Sequence, residues 1–161
     1  MQDSCRRLPY PMNKIRNLII GKTAGSLFWK RLHEKVKKKN EKQFYREQLL
    51  GNKPFEVEYV IGACQLFQKK ILEEVGFLDE TIFYGPEDAD FCLRISQKGY
   101  KIVCLPAIYI IHHYNRISNK KIVSRMTLLH LKGLLHFYFK HHLLTSDPLK
   151  KHGKKIEPRL H

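Results

Sequence analysis

An α/β fold is predicted for the centre of this 161-residue chain, and three observations carry it. Residues 55–61 alternate and are partly β-branched, as a strand does. Phe91, Cys92 and Ile95 recur at helical spacing between Pro86, suited to a first helical position, and Gly99, suited to a stop. Residues 100–105 then give a second strand, broken at Pro106.

The remaining elements follow in order. Residues 1–12, with Pro9 and Pro11, are expected to be irregular. Residues 13–20 suit a short helix and residues 21–26 a loop. Residues 27–50 have weak helical periodicity and the charge run Lys35-Val36-Lys37-Lys38-Lys39, so a surface helix or loop is expected. Gly62-Ala63 closes the first strand. Residues 68–75 read as a short helix with Gly76 as its C′ stop, and residues 77–83 as a loop carrying Asp79 and Glu80. Residues 107–112 form another extended run.

Residues 119–142 read as a long amphipathic helix, capped by Ser118 or Asn119. Leu128, Leu131, Leu135 and Tyr138 form its apolar stripe. Lys121, Arg125, Lys132, His136 and Lys140 form a cationic one. The Lys-rich tail after Asp147-Pro148 is expected to lack fixed structure. Three segments result: a basic connecting segment (1–53), an ordered centre (54–118), and a helix with a basic tail (119–161).

The net charge of +15 is unevenly spread. Residues 1–50 carry 13 Lys+Arg against 4 Asp+Glu, residues 51–113 carry 6 against 9, and residues 114–161 carry 11 against 2. Basic flanks suit a phosphate-bearing partner, whether nucleotide, nucleic acid or anionic membrane; a merely solvated surface fits equally well. The four cysteines form no Cys-x-x-Cys pair, which argues against zinc ribbons and thioredoxin-like chemistry. Cys92 and Cys104 lie in apolar patterns and read as buried small hydrophobes, and a reduced, cytosolic setting is expected. The sequence shows neither a signal peptide nor an apolar run long enough to span a membrane.

The chemistry concentrates in Glu87-Asp88-x-Asp90. A helix N-terminus is the positive end of a dipole, so carboxylates there are expected to stay ionised, as a general base must. Plain helix capping is the competing reading. His112-His113 follows; a neutral imidazole is a ready metal ligand, and a strand-end histidine is the alternative. On an extended run the two face opposite ways.

The order Gly62-Ala63-x-x-Leu66-Phe67, Val75-Gly76-Phe77-Leu78-Asp79-Glu80, Phe83-Tyr84-x-x-Glu87-Asp88-x-Asp90-Phe91-Cys92-x-Arg94, Gly99-Tyr100 and Pro106-x-x-x-x-x-His112 resembles the second half of family-2 glycosyltransferases, in their rhamnosyltransferase-like bacterial branch. The likeness covers residues 55–118. Two further stretches agree: Gln2-x-Ser4-x-Arg6-Arg7-x-Pro9, and the aromatic-basic run His136-Phe137-Tyr138-Phe139-Lys140-His141. The resemblance implies a GT-A fold and inverting sugar transfer from a nucleoside-diphosphate sugar to a cell-envelope glycan or lipid-linked acceptor. It makes Asp88 the general base and Glu87 its helper. Gly62 and Ala63 would line the sugar pocket. Asp79 would be structural or acceptor-lining, and Asp90 would bond backbone or Arg94. Arg116 and Ser118 could touch the diphosphate. His112 would complete a Mg or Mn site.

The family's first half, with its nucleotide-binding unit and metal-binding Asp-x-Asp, has no counterpart in the sequence. The only Asp-x-Asp is Asp88-x-Asp90. The chain is therefore expected to be a C-terminal piece, inactive alone, that binds metal weakly through His112. A cytoplasmic location is expected, with the last helix on the inner face of an anionic membrane or packed on the sheet. The alternative is a non-catalytic basic module for membrane or RNA. The acidic centre disfavours it, the 35–39 run lacks interleaved aromatics, and no nucleic acid is expected. A carboxylate–histidine metal hydrolase lacks a second histidine at ligand spacing.

Overall fold

The computed structural model describes residues 3–11, 44–113 and 125–144. The expected helix over 13–20, the loop over 21–26, the Lys35–Lys39 run, Arg116, Ser118, Asn119, Lys121 and the basic tail lie outside those residues. The described elements run β1 (Cys5–Arg6), α1 (Arg46–Leu50), β2 (Phe55–Val57), β3 (Tyr59–Val60), α2 (Lys69–Val75), α3 (Glu87–Gln97), β4 (Ile102–Cys104) and α4 (Arg125–Lys140). The mixture of helices with small sheets bears out the α/β class.

Helix α3 is the hub. Ala89, Asp90, Phe91, Cys92, Leu93, Ile95 and Ser96 are all buried on it. One face packs Ala89, Cys92 and Leu93 against Leu8, Tyr59 and Ile82, and against Leu134, Phe137, Tyr138 and Leu143 from α4 and its C-terminal turn. Phe91 and Ile95 pack against Ile71, with Leu72, Val75 and Tyr100 alongside. Pro86 is its N-cap and not its first helical residue, so the helix starts one position later than expected. Gly99 ends it at φ +91°, a conformation that favours glycine. Gly76 ends α2 likewise, at φ +82°.

Two antiparallel ladders support this hub. β1 pairs with β3 (Cys5 opposite Val60), and β2 pairs with β4 (Phe55 opposite Cys104). The single strand expected over 55–61 is thus divided at Glu58, and its halves take different partners. The physical reason is the buried Glu58 carboxylate, which accepts the Leu8 backbone N–H at 2.7 Å. The N-terminal stretch expected to be irregular contributes β1 and the fully buried Leu8. Cys5 and Tyr45 share a cluster with Val57. Residues 3–11 and 44–50 therefore belong to the same packed body as the centre, although the sequence reading places them in a connecting segment.

Residues 107–112 join no strand, and Ile108, Tyr109, Ile110 and Ile111 stand exposed. On α4 the core face is Gly133, Leu134, Phe137 and Tyr138. Leu128, Leu131 and Leu135, expected to pack, are exposed, together with Phe139. At about 100° per residue the apolar surface of α4 spans two adjoining arcs, and only one meets α3. After Lys140, His142 takes a left-handed φ of 53°, while the Leu143 N–H bonds the Tyr138 carbonyl at 3.0 Å and the His142 N–H bonds that of Phe139 at 3.2 Å. This is a Schellman-type stop, and it tucks Leu143 into the core.

Candidate active site

The first turn of α3 presents Glu87 and Asp88 at the end of a tight connection, 82–86. That connection is pressed against α4. A Cβ on Gly133 would lie 3.2 Å from Ile82 Cγ2 and 3.5 Å from the Tyr84 carbonyl, and one on Gly85 (φ +60°) would strike the His130 ring. Glycine at both places lets the helix and the turn approach, so α4 helps fix where the α3 mouth points.

Asp88 accepts the Ala89 N–H at 2.7 Å and a backbone hydrogen bond from Gly62. Burial, then the Glu87 charge, raise its pKa above the ordinary carboxylate value, and the two backbone bonds and Arg6 only partly offset them. The direction of this shift is opposite to the one a helix terminus alone would give, because burial disfavours the charged form. A carboxylate with a raised pKa is the stronger base once ionised. Beside it, Glu87 Oε2 is buried with no hydrogen-bond partner among the described residues. A buried carboxylate oxygen left without a donor has capacity to accept one.

Gly62 is exposed, and a Cβ there would meet nothing within 4 Å. Its backbone faces open space next to Asp88. Ala63 is half-buried beside it. Arg6 hydrogen-bonds Tyr59 and acts through its charge on Asp88. In the sequence Arg6 is marked only by its place in the Gln2-x-Ser4-x-Arg6-Arg7-x-Pro9 stretch, and its approach to Asp88 is set by the pairing of β1 with β3.

Asp79 and Asp90 are held by α4 and by Arg94. The Asp90 carboxylate, with no exposed surface, takes Arg94 Nε at 2.8 Å, His141 Nε2 at 2.7 Å and Lys140 Nζ at 2.9 Å. Burial would raise its pKa, but these donors outweigh it and hold the pKa at about 2. Arg94 also reaches the carbonyls of Val75 at 2.6 Å and Phe77 at 2.8 Å. Asp79 receives Lys140 at 2.6 Å and His136 at 3.0 Å. Lys140, followed by His136 and Thr81, keeps it well below the usual carboxylate range. His136 and Lys140 therefore face these carboxylates, where the sequence reading sets them on an outward cationic stripe. They sit where the basic arc of α4 borders its core arc. The run 136–141 is a lock between α4 and α3.

His112 stands on the exposed run after β4. Among the described residues no group of three or more His, Cys, Asp or Glu is placed to hold a metal. Asp88-x-Asp90 cannot substitute, since Asp90 already bonds Arg94, Lys140 and His141. The described residues do not by themselves fit a divalent metal, and further ligands would have to come from elsewhere. No described helix is long and apolar enough to cross a membrane.

Comparison with known proteins gives a consistent picture. The N-acetylglucosaminyl-diphospho-decaprenol L-rhamnosyltransferase of Mycobacterium tuberculosis is 24% identical over 106 residues, which is 66% of this chain and 34% of that protein. The rhamnosyltransferase WbbL of Escherichia coli K12 is 28% identical over 102 residues, 63% of this chain and 38% of that protein. A dTDP-rhamnosyl transferase of Shigella flexneri is 31% identical over 62 residues, 38% of this chain and 21% of that protein. The chain thus spans about a third of the length of the first two relatives. No family model matches, and no solved structure matches.

Proposed function

We propose that residues 54–118 form the C-terminal, acceptor-side half of an inverting GT-A glycosyltransferase domain, a reading supported by the likeness of this chain to rhamnosyl- and hexosyltransferases. The donor would be a nucleoside-diphosphate sugar and the acceptor a cell-envelope glycan or a lipid-linked one. The observation that carries this reading is the α3 mouth: a desolvated Asp88 beside a buried, unpartnered Glu87 oxygen, under the open backbone of Gly62.

In this reading Asp88 takes the proton from the acceptor hydroxyl as that oxygen attacks the anomeric carbon and the nucleoside diphosphate departs from the opposite face. Inversion needs only this one base. Glu87 accepts a hydrogen bond from a second acceptor hydroxyl and, through its charge, makes Asp88 more basic. Gly62 and Ala63 leave room for the sugar. Asp79 and Asp90 position α3 and do not touch substrate. Arg116 and Ser118 remain candidates for the diphosphate. Mg or Mn, if used, needs ligands beyond His112, and none of the steps above depends on it.

The decisive experiment is Asp88→Asn in an enzyme that also carries the nucleotide-binding half. Turnover should fall by a factor of about 100 or more, the usual scale for losing a general base, with donor affinity nearly kept. Glu87→Gln should cost less. Turnover near wild type in the Asp88 variant would remove Asp88 from the chemistry.

A further inference from the structure

Two sulfurs meet between the two small sheets. Cys5 on β1 and Cys104 at the end of β4 bring their Sγ atoms to 2.7 Å, across 99 positions of sequence. Their strands ladder to different partners, so the contact joins one sheet to the other. Cys5 is 1% exposed and packs with Tyr45 and Val57; the half-buried Cys104 packs against the same cluster. Cys92 is buried in a different cluster, and Cys64 is exposed. A disulfide S–S bond is about 2.05 Å, so the two sulfurs need close by only roughly 0.7 Å to bond.

We propose that Cys5 and Cys104 are a redox modification site, joined as an intramolecular disulfide by exchange with a small disulfide such as oxidised glutathione. Cys104 is the accessible partner. Its thiol gives up a proton, the thiolate attacks one glutathione sulfur, and the glutathione S–S bond breaks with one glutathione thiolate leaving. The Cys5 thiolate then attacks the Cys104 sulfur of the mixed disulfide and expels the second glutathione. The two protein thiols are oxidised, one glutathione disulfide is reduced to two thiols, and the two protons end on those thiols. Burial, then the adjacent Cys5 thiol, push the Cys104 thiol up to about 12. Little thiolate exists at neutral pH, and the exchange is correspondingly slow.

The bond would act on both sides of the candidate site. β1 carries Arg6, which bonds Tyr59 and whose charge reaches Asp88. β4 leads into the exposed run that ends with His112. Oxidation ties these two strands to one core and closes a long loop in the unfolded chain, which stabilises the folded form.

The test uses the purified chain after prolonged incubation with oxidised glutathione. Free thiols are then alkylated under denaturing conditions, and the non-reduced digest is read by mass spectrometry. The expected product is a Cys5–Cys104 cross-linked peptide, together with a thermal midpoint that rises and returns on adding dithiothreitol. Recovery of both cysteines as alkylated or singly glutathionylated peptides, or a cross-link running instead through Cys64 or Cys92, overturns the proposal. Cys104→Ser, at a half-buried position that tolerates a hydroxyl, keeps it falsifiable should changes at Cys5 prevent folding. The oxidative gain in midpoint must vanish in that variant, and a gain that persists overturns the proposal equally.

Discussion

Nε2 of His141, in the turn that follows α4, lies 2.7 Å from Oδ1 of Asp90, in the first turn of α3. Both side chains are buried, and the pair ties the end of one helix to the start of the other. Glu87 and Asp88, the proposed chemical groups, precede Asp90 in the same first turn of α3, so this lock holds the turn that carries the candidate site.

Asp90→Ala should therefore destabilise the fold strongly. It leaves Arg94, His141 and Lys140 facing a gap, and breaking a buried ion pair by removing one partner costs about 3–5 kcal/mol. Urea denaturation measures it. A loss below about 1 kcal/mol would reduce the network to the value of an ordinary surface pair.

The same network sets an acid limit. The folded-state pKa of Asp90, about 2, lies below its ordinary 3.8, so the folded chain binds this proton less readily than the unfolded chain does. Its contribution is complete above 3.8 and is lost as pH falls through the folded value. Asp79 acts in the same direction. Stability should decline from about pH 4 downward, and the decline should be shallower in Asp90→Asn. Equal slopes in acid titrations of the two proteins would contradict this.

Asp88 and Glu87 are coupled in the opposite sense. The Glu87 charge raises the Asp88 pKa, so Glu87→Gln should move the Asp88 titration to lower pH. Carboxyl-carbon NMR on the chain reads this without any activity assay. An unchanged or raised Asp88 midpoint would mean that the two carboxylates do not sense each other.

Gly133 tests the contact between α4 and the 82–86 turn. Alanine should lie within about 1 kcal/mol of wild type, since better helix propensity offsets the 3.2 Å approach to Ile82 Cγ2. Leucine should cost about 1–3 kcal/mol by overpacking, and it should shift the amide resonances of Tyr84 to Asp88. Leucine tolerated with unshifted resonances would show that α4 does not set the α3 mouth.

The exposed arc of α4 tests membrane association. Leu128, Leu131, Leu135 and Phe139 stand outside the core with Arg125 and Lys132 beside them. Each basic residue near an anionic surface adds about 1 kcal/mol, screened within about 8–10 Å at physiological salt. Liposome co-sedimentation should rise with phosphatidylglycerol and fall with salt. Leu131→Ser with Leu135→Ser, or Gln at Lys121, Arg125 and Lys132, should weaken it without unfolding. Equal sedimentation with neutral and anionic vesicles would leave this arc as plain surface.

The α3 helix, its glycine stop and the stop of α2 were legible in the sequence because local rules decide them. Phe91, Cys92 and Ile95 repeat at helical spacing, and Gly76 and Gly99 take positive φ that few other residues tolerate. Asp90 pairs with Arg94, four positions on along the same helix face, which is one of the two partners that the resemblance left open. The order of motifs around Glu87-Asp88 likewise pointed to the relatives that the chain does resemble.

Tertiary structure alone decided what depends on distant partners. Glu58 divides a strand because Leu8, 50 residues away, offers it an N–H. Asp88 is desolvated because neighbouring elements cover the helix end, and a sequence shows the dipole but not the cover. Two apolar arcs on α4 look alike in sequence, and the one that packs is chosen by where α3 lies. Periodicity reports which side chains share a face; only packing decides whether that face is dry, and dryness sets both the packing of Leu134 and Phe137 and the basicity of Asp88.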